Sequence, residues 1–133
     1  MIKGLSKIEV ITVFAEDLAA TRAFYENVFG LEVVYADEAS AVVRLDNLMI
    51  NVLRAERADM LIEPQPVGPP DSGARLLITI QVDDADAVCE ELRQHGVTIL
   101  NGPVDRPWGR RTAAFADPAG NMWEIAQHLP QPS

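Results

Sequence analysis

The chain has 133 residues, is 48% hydrophobic and carries a formal charge of −9, from 20 acidic against 11 basic side chains. That length suits one compact domain with a buried core, and no apolar run approaches the roughly 18 residues of a membrane span. An acidic surface repels a phosphate backbone, which argues against nucleic acid as a partner; no apolar leader follows Lys3 and Lys7, so a cytoplasmic protein is expected.

The first strand is predicted at Ile11-Thr12-Val13-Phe14-Ala15, a β-prone run that leads into Glu16-Asp17, acids suited to cap a helix. In the helix that follows, Leu18, Thr21, Phe24, Tyr25 and Val28 recur at three- and four-residue steps and share one face, and Gly30 is the stop. Three short β-prone runs come next, at 31–35, 41–45 and 48–53, with Asp46-Asn47 as the turn between the last two.

Residues 55–74 contain Pro64, Pro66, Pro69 and Pro70 with Gly68 and Gly73, a composition that resists helix and central strand and reads as a linker. The pattern then repeats. Ile78-Thr79-Ile80-Gln81-Val82-Asp83-Asp84 echoes the first strand and its acids, Ala85, Val88, Cys89 and Leu92 mark a second helix, and Gly96 stops it. Extended segments are predicted at 97–100, 111–116 and 122–127, the last two joined by Asp117-Pro118-Ala119-Gly120-Asn121.

The chain therefore reads as one α+β domain, residues 1–133, made of two βαβββ modules at 1–54 and 75–133 joined by the linker. Each half-sheet has an apolar face that it cannot cover alone, so the halves pack together or pair with another copy. Cys89 is the only cysteine, which excludes an internal disulfide, and its place in a helical pattern marks it as a small core residue.

The strand with Asp17-Leu18, Phe24-Tyr25 and Gly30-Leu31, and later Pro107-Trp108-Gly109-Arg110 with Asp117-Pro118-Ala119-Gly120-Asn121, fall at matching places of the repeat. Together they resemble the vicinal oxygen chelate superfamily, which holds glyoxalases, bleomycin-resistance proteins and extradiol dioxygenases. The resemblance implies mixed sheets curled into a cup and a homodimer; in metal-dependent members, four strands each supply one inward ligand. Those positions fall here on Val10, Asn51, Leu77 and Glu124, and only Glu124 keeps the ligand type. A catalytic divalent ion needs about three donors with lone pairs, which Val10 and Leu77 lack. His95, beside the helix stop, suits the helix dipole, and His128 is expected beyond the last strand near the Pro-rich tail. No metal and no cofactor are expected, and the pattern is closest to the metal-free bleomycin-resistance branch.

Because side chains alternate along a strand, the residues in phase with those four positions should also face the cup. They are Val10, Thr12 and Phe14; Met49, Asn51 and Leu53; Leu77, Thr79 and Gln81; and Met122, Glu124 and Ala126, with Trp108 and Arg110 or Arg111 at the rim. The candidate ligand-binding set is Thr12, Phe14, Met49, Asn51, Thr79, Gln81, Trp108, Arg111, Met122 and Glu124. Trp123 and Ile125 alternate away and belong to the core. Glu124 is open to three roles: ligand anchor, ion-pair partner of Arg111, or general base. Trp108 is either a stacking wall or a residue that pins its loop. The function expected is metal-free binding of a small molecule, with sequestration of a drug or metabolite; an acidic field favours cationic ligands, although it also serves solubility. The alternative is a glyoxalase-like lyase or isomerase, or a dioxygenase, that uses Glu124.

Overall fold

Asp17 and Asp84 open the two main helices in the same way. Asp17 follows β1 (Val10–Ala15), and its Oδ1 accepts from Ala20 N at 3.0 Å at the head of α1 (Leu18–Asn27). Asp84 follows β5 (Leu77–Gln81) and accepts from Ala87 N at 3.1 Å at the head of α3 (Ala85–Gln94). Each carboxylate satisfies a backbone donor that the first helical turn leaves without an internal partner. Past the helix ends, Gly30 and Gly96 take φ of 68° and 81°, and Leu31 N and Val97 N fold back onto Tyr25 O and Leu92 O at 3.1 and 2.9 Å. That left-handed closure is open to glycine at little cost.

This computed structural model describes residues 2–130; Met1 and residues 131–133, with the end of the Pro-rich tail, lie outside the described residues. β2 (Glu32–Ala36), β3 (Ser40–Arg44) and β4 (Met49–Arg54) join β1 in a four-stranded sheet of order β1-β4-β3-β2. β6 (Asn101–Arg106), β7 (Arg110–Ala116) and β8 (Met122–His128) join β5 in a second, of order β5-β8-β7-β6. In both, the first strand pairs parallel with the last and the remaining pairs are antiparallel. The chain is thus α+β, built from two βαβββ modules with mixed sheets. It divides into two compact units between Pro69 and Pro70, inside the proline-rich segment.

The helices cover one face of each sheet. In the first unit Leu18, Thr21 and Tyr25 of α1 are buried, as are Val13, Val43, Ile50 and Val52, and the rings of Phe24, Tyr25 and Phe29 cluster with centroids 5.2–5.7 Å apart. In the second, Ala85, Cys89 and Leu92 of α3 are buried, as are Ala113, Phe115, Trp123 and Ile125 of the sheet. Each large apolar side chain so buried contributes about 1.5–3 kcal/mol. Trp123 and Ile125 are core residues as expected, and Cys89 is a free, buried thiol whose pKa is pushed up by that burial.

Three expectations are corrected. The segment 55–74 begins with a 3-10 turn at Ala55–Arg57 and a short α2 (Asp59–Ile62), because its prolines all come after residue 63 and leave the earlier positions free to coil. The strand placed at 97–100 starts later, as β6 at Asn101; before it, Leu100 N already donates to Ala114 O at 2.8 Å. His128 lies within β8 as its last residue, paired in register with Arg110, rather than beyond the strand. No helix among the described residues is long and apolar enough to cross a membrane.

Candidate functional site

Strand register decides which side chains share a face. In the first sheet Val10 pairs with Met49, Thr12 with Asn51 and Phe14 with Leu53. Register partners point the same way, so these six occupy the face opposite Val13, Ile50 and Val52, which are buried on the α1 side. Asn51 Nδ2 donates to Thr12 Oγ1 across a long 3.5 Å, while Asn51 Oδ1 is buried without a hydrogen-bond partner. Its neighbours on this face, Met49, Leu53 and Phe14, offer no donor. An amide oxygen left so costs about 1–3 kcal/mol until a donor reaches it.

The second sheet repeats the arrangement with more polar content. Leu77 pairs with Met122, Thr79 with Glu124 and Gln81 with Ala126, and the Thr79 hydroxyl donates to Glu124 Oε1 at 2.9 Å. Across β7 the row continues, Ala114 standing opposite Glu124, Thr112 opposite Ala126 and Arg110 opposite His128. A bulge at Asn101–Val104 inserts one residue into β6, so that Asn101 and Arg106 return to this same face. Arg106 Nη2 accordingly donates to Asn101 Oδ1, and its Nε to Thr112 Oγ1, both at 2.9 Å.

Gly102 makes the bulge feasible. Its φ is 80°, and a Cβ there would overlap the carbonyl oxygen of Thr112.

Of the residues singled out from sequence, Thr12, Phe14, Met49 and Asn51 share the open face of the first sheet, and Thr79, Gln81, Met122 and Glu124 share that of the second. Arg111 does not join them. It points to the helix side, where its guanidinium bonds Asp86 of α3 at 2.9 Å and Asp105 of β6 at 3.0 Å, which raises its pKa further. The pairing with Glu124, one of the three roles left open for that residue, is therefore ruled out: one step along β7 reverses the face, and Arg110 is the arginine in phase with Glu124. Arg110 Nη2 donates to Ala126 O at 3.2 Å, and its Nε is buried without a partner.

Trp108 lies in the hairpin turn between β6 and β7, where Gly109 N donates to Arg106 O at 3.1 Å, and is 67% exposed. That exposure speaks against a side chain that pins the loop by packing. Arg106, Asn101 and Thr112 were missed in the sequence. The readable signal was the Pro107-Trp108-Gly109 turn, which sets Arg106 opposite Arg110; the bulge that brings Asn101 into phase had no such marker beyond Gly102.

The donor set does not fit the divalent ion of the fold's metal-dependent members. Val10 and Leu77 have no lone pair to give, and among the described residues no three His, Cys, Asp or Glu side chains come together as a metal site. His95 caps α3, where its backbone N–H reaches Glu91 O and Leu92 O at 3.1 Å, and His128 is exposed. Within the first unit, a depression of about 180 Å³ is lined by Ala15, Glu16, Ala55 and Glu56.

The comparisons with known proteins agree on the fold. The sequence profile described as the Glyoxalase/Bleomycin resistance protein/Dioxygenase superfamily matches residues 7–125. The uncharacterised protein YraH of Bacillus subtilis is 28% identical over 127 residues, covering 92% of this chain and 99% of that one. The metallothiol transferase FosB of Lysinibacillus sphaericus is 28% identical over 109 residues, covering 82% and 73%. Among solved structures, a glyoxalase/bleomycin resistance protein/dioxygenase from Nocardioides superposes with a TM-score of 0.87 at 20% identity over 99% of this chain and 89% of that one. TnmS3, an antibiotic binding protein from Streptomyces sp. CB03234, does so with a TM-score of 0.71 at 25% identity over 96% and 99%.

Proposed function

Because the chain belongs to the glyoxalase/bleomycin resistance protein/dioxygenase superfamily, we propose that it is a metal-free small-molecule-binding protein that sequesters a drug or metabolite on the open faces of its sheets. The observation that carries this reading is the pairing of two facts. Val10 and Leu77 stand where the resemblance puts the donors of metal-dependent members, while Asn51 Oδ1 remains on the largely apolar face of the first sheet, and Glu124 and Arg110 Nε on the mixed face of the second. Apolar surface with a few placed polar groups is the usual make-up of a ligand site. The likeness to an antibiotic binding protein supports the same reading.

Glu124 is then a ligand anchor, held by Thr79 with one oxygen and presenting the other. The charge of −9 draws cationic compounds toward the surface as a whole. Homodimer formation is part of the proposal. Ile2, Leu5, Ile8, Leu77 and Leu100 are exposed apolar side chains of the kind that a second copy covers.

The test has two arms. Protein purified without chelator is subjected to elemental analysis, and the same preparation is titrated calorimetrically with neutral and cationic drug-sized compounds while the compounds are followed by mass spectrometry. Saturable binding, no stoichiometric metal and unchanged compounds are expected. About one tightly held divalent ion per chain, or turnover that Glu124→Gln abolishes, would replace this reading with the lyase, isomerase or dioxygenase one.

A further inference from the structure

We propose that Arg106 and Arg110 form an oxyanion subsite on the open face of the second sheet, which takes the carboxylate or phosphate group of a small ligand. This rests on the binding reading above and specifies the chemistry of one end of the ligand.

The two arginines are the last register pair of the β6–β7 hairpin, directly opposite each other on either side of the Pro107-Trp108-Gly109 turn. Like charges so placed repel. Acids are abundant in this chain, 20 against 11 basic residues, and Arg22, Arg44, Arg54, Arg93 and Arg111 each stand within 4.0 Å of one. Among the described residues, Arg106 and Arg110 make no ion pair. Arg106 is oriented instead by two neutral acceptors, Thr112 Oγ1 and Asn101 Oδ1, which fix the plane of the guanidinium and leave its charge uncompensated. Arg110 has a single acceptor, the Ala126 carbonyl, and its buried Nε–H has none.

Glu124 does not reach them. Among the described residues it forms no ion pair with either, and its Oε1 is taken by the Thr79 hydroxyl, although the Arg110 guanidinium bonds the carbonyl of Ala126, two residues along β8 from it. Two guanidinium groups that rise from one register pair, each with N–H donors left over and neither in an ion pair, match an oxyanion, which each can meet through N–H···O bonds. Ala114, Ala126 and Val104 are the apolar stretch between that pair and Glu124, and exposed Trp108 at the hairpin tip offers a ring for an aromatic body. The structure thus assigns a ligand that is anionic at one end, even though the protein as a whole is acidic.

The test uses the intact 15N-labelled chain in 150 mM salt, with the arginine Nε–H signals followed by NMR during titration with benzoate, phenyl phosphate and the neutral control benzamide. Saturating shifts at Arg106 and Arg110 are expected with the anions and not with benzamide, and Arg110→Gln is expected to weaken binding by about tenfold or more. The tighter of the two anions distinguishes a carboxylate from a phosphate ligand. Arg106→Lys and Arg110→Lys, which keep the charge and lose the fork, should bind more weakly than the parent and guard against a glutamine variant that fails to fold. Equal binding of benzamide, or unchanged anion affinity in a folded Arg106→Gln/Arg110→Gln protein, would overturn the subsite. If neutral or cationic probes then saturate signals at Thr79 and Glu124, the binding reading stands without it; if no probe saturates any signal on either open face, both fall.

Discussion

Thr79 and Glu124 are joined across the parallel pairing of β5 with β8, the threonine hydroxyl donating to Oε1 at 2.9 Å. A carboxylate held by one oxygen keeps a fixed orientation and leaves the other oxygen for a donor that arrives from solvent. Glu124→Gln preserves size and removes the charge. We expect it to weaken a cationic probe such as benzamidine by about tenfold, in line with the worth of a charge-assisted bond, and Thr79→Val to weaken it by less. Isothermal titration of the three proteins decides this, and equal affinities would remove Glu124 from the site.

Gly102 sets the phase of β6. Alanine at φ 80° incurs left-handed strain, and its methyl group meets the Thr112 carbonyl oxygen. Gly102→Ala is expected to lose at least about 2 kcal/mol in urea unfolding, with the Asn101–Arg106 bond disturbed as well. Gly120, also at positive φ but with open space around its Cβ position, should tolerate alanine better.

Asp117 organises the turn that leads into the strand carrying Glu124. Although buried, its carboxylate accepts from Ala119 N and Asn121 N at 2.9 Å and from Asn121 Nδ2 at 2.8 Å. Asp117→Ala leaves buried donors unmet and should cost about 3 kcal/mol, while Asp117→Asn retains an acceptor and should cost less. Thermal denaturation of both variants gives the ordering.

The β2–β3 turn predicts a pH dependence. Asp37 accepts from the Tyr35 hydroxyl, Ala39 N and Ser40 N, each at 2.8 Å, and these bonds, that from Tyr35 foremost, hold its pKa below the ordinary 3.8. A depressed folded-state pKa gives stability that is present above about 3.8 and lost as the pH falls through the lower folded value. The same contact raises the Tyr35 phenol above 10.0, so its share is lost only as the pH climbs through that raised value. Melting temperature should therefore decline on acidification below about pH 4 more steeply in the parent than in Asp37→Asn. Parallel curves would show that the turn contributes nothing to acid stability.

The repeat was legible because both of its halves obey the same local rules. Asp17 and Asp84 cap, Gly30 and Gly96 stop, and alternation along β1, β4, β5 and β8 put twelve side chains in phase, which the register pairs six to a sheet. What was less legible depended on phase across a turn. Arg110 and Arg111 are adjacent in sequence, and only the pairing of Ala114 with Glu124 shows that the first shares the open face while the second is bound to Asp86 and Asp105 behind it. Arg106 was hidden for a related reason, since its phase follows from the hairpin, and that of Asn101, which it bonds, from a bulge that depends on one backbone angle at Gly102. The turn held by Asp37 was also unread, as nothing in Asp37-Glu38-Ala39 distinguishes an acceptor of several bonds from an ordinary surface acid.

Arg111 gives the second sheet a lopsided division of labour. By tying α3 to β6 from behind, together with buried Trp123 and the Gln127 side chain that accepts from Ala85 N at 2.8 Å, it concentrates folding stability on the helix side. Positions such as Gln81 and Val104, exposed on the opposite face, are left with little structural duty. Surface substitutions of that kind usually change stability by no more than about 0.5 kcal/mol. The chemistry of that face can therefore change one point mutation at a time while the sheet beneath it stays folded.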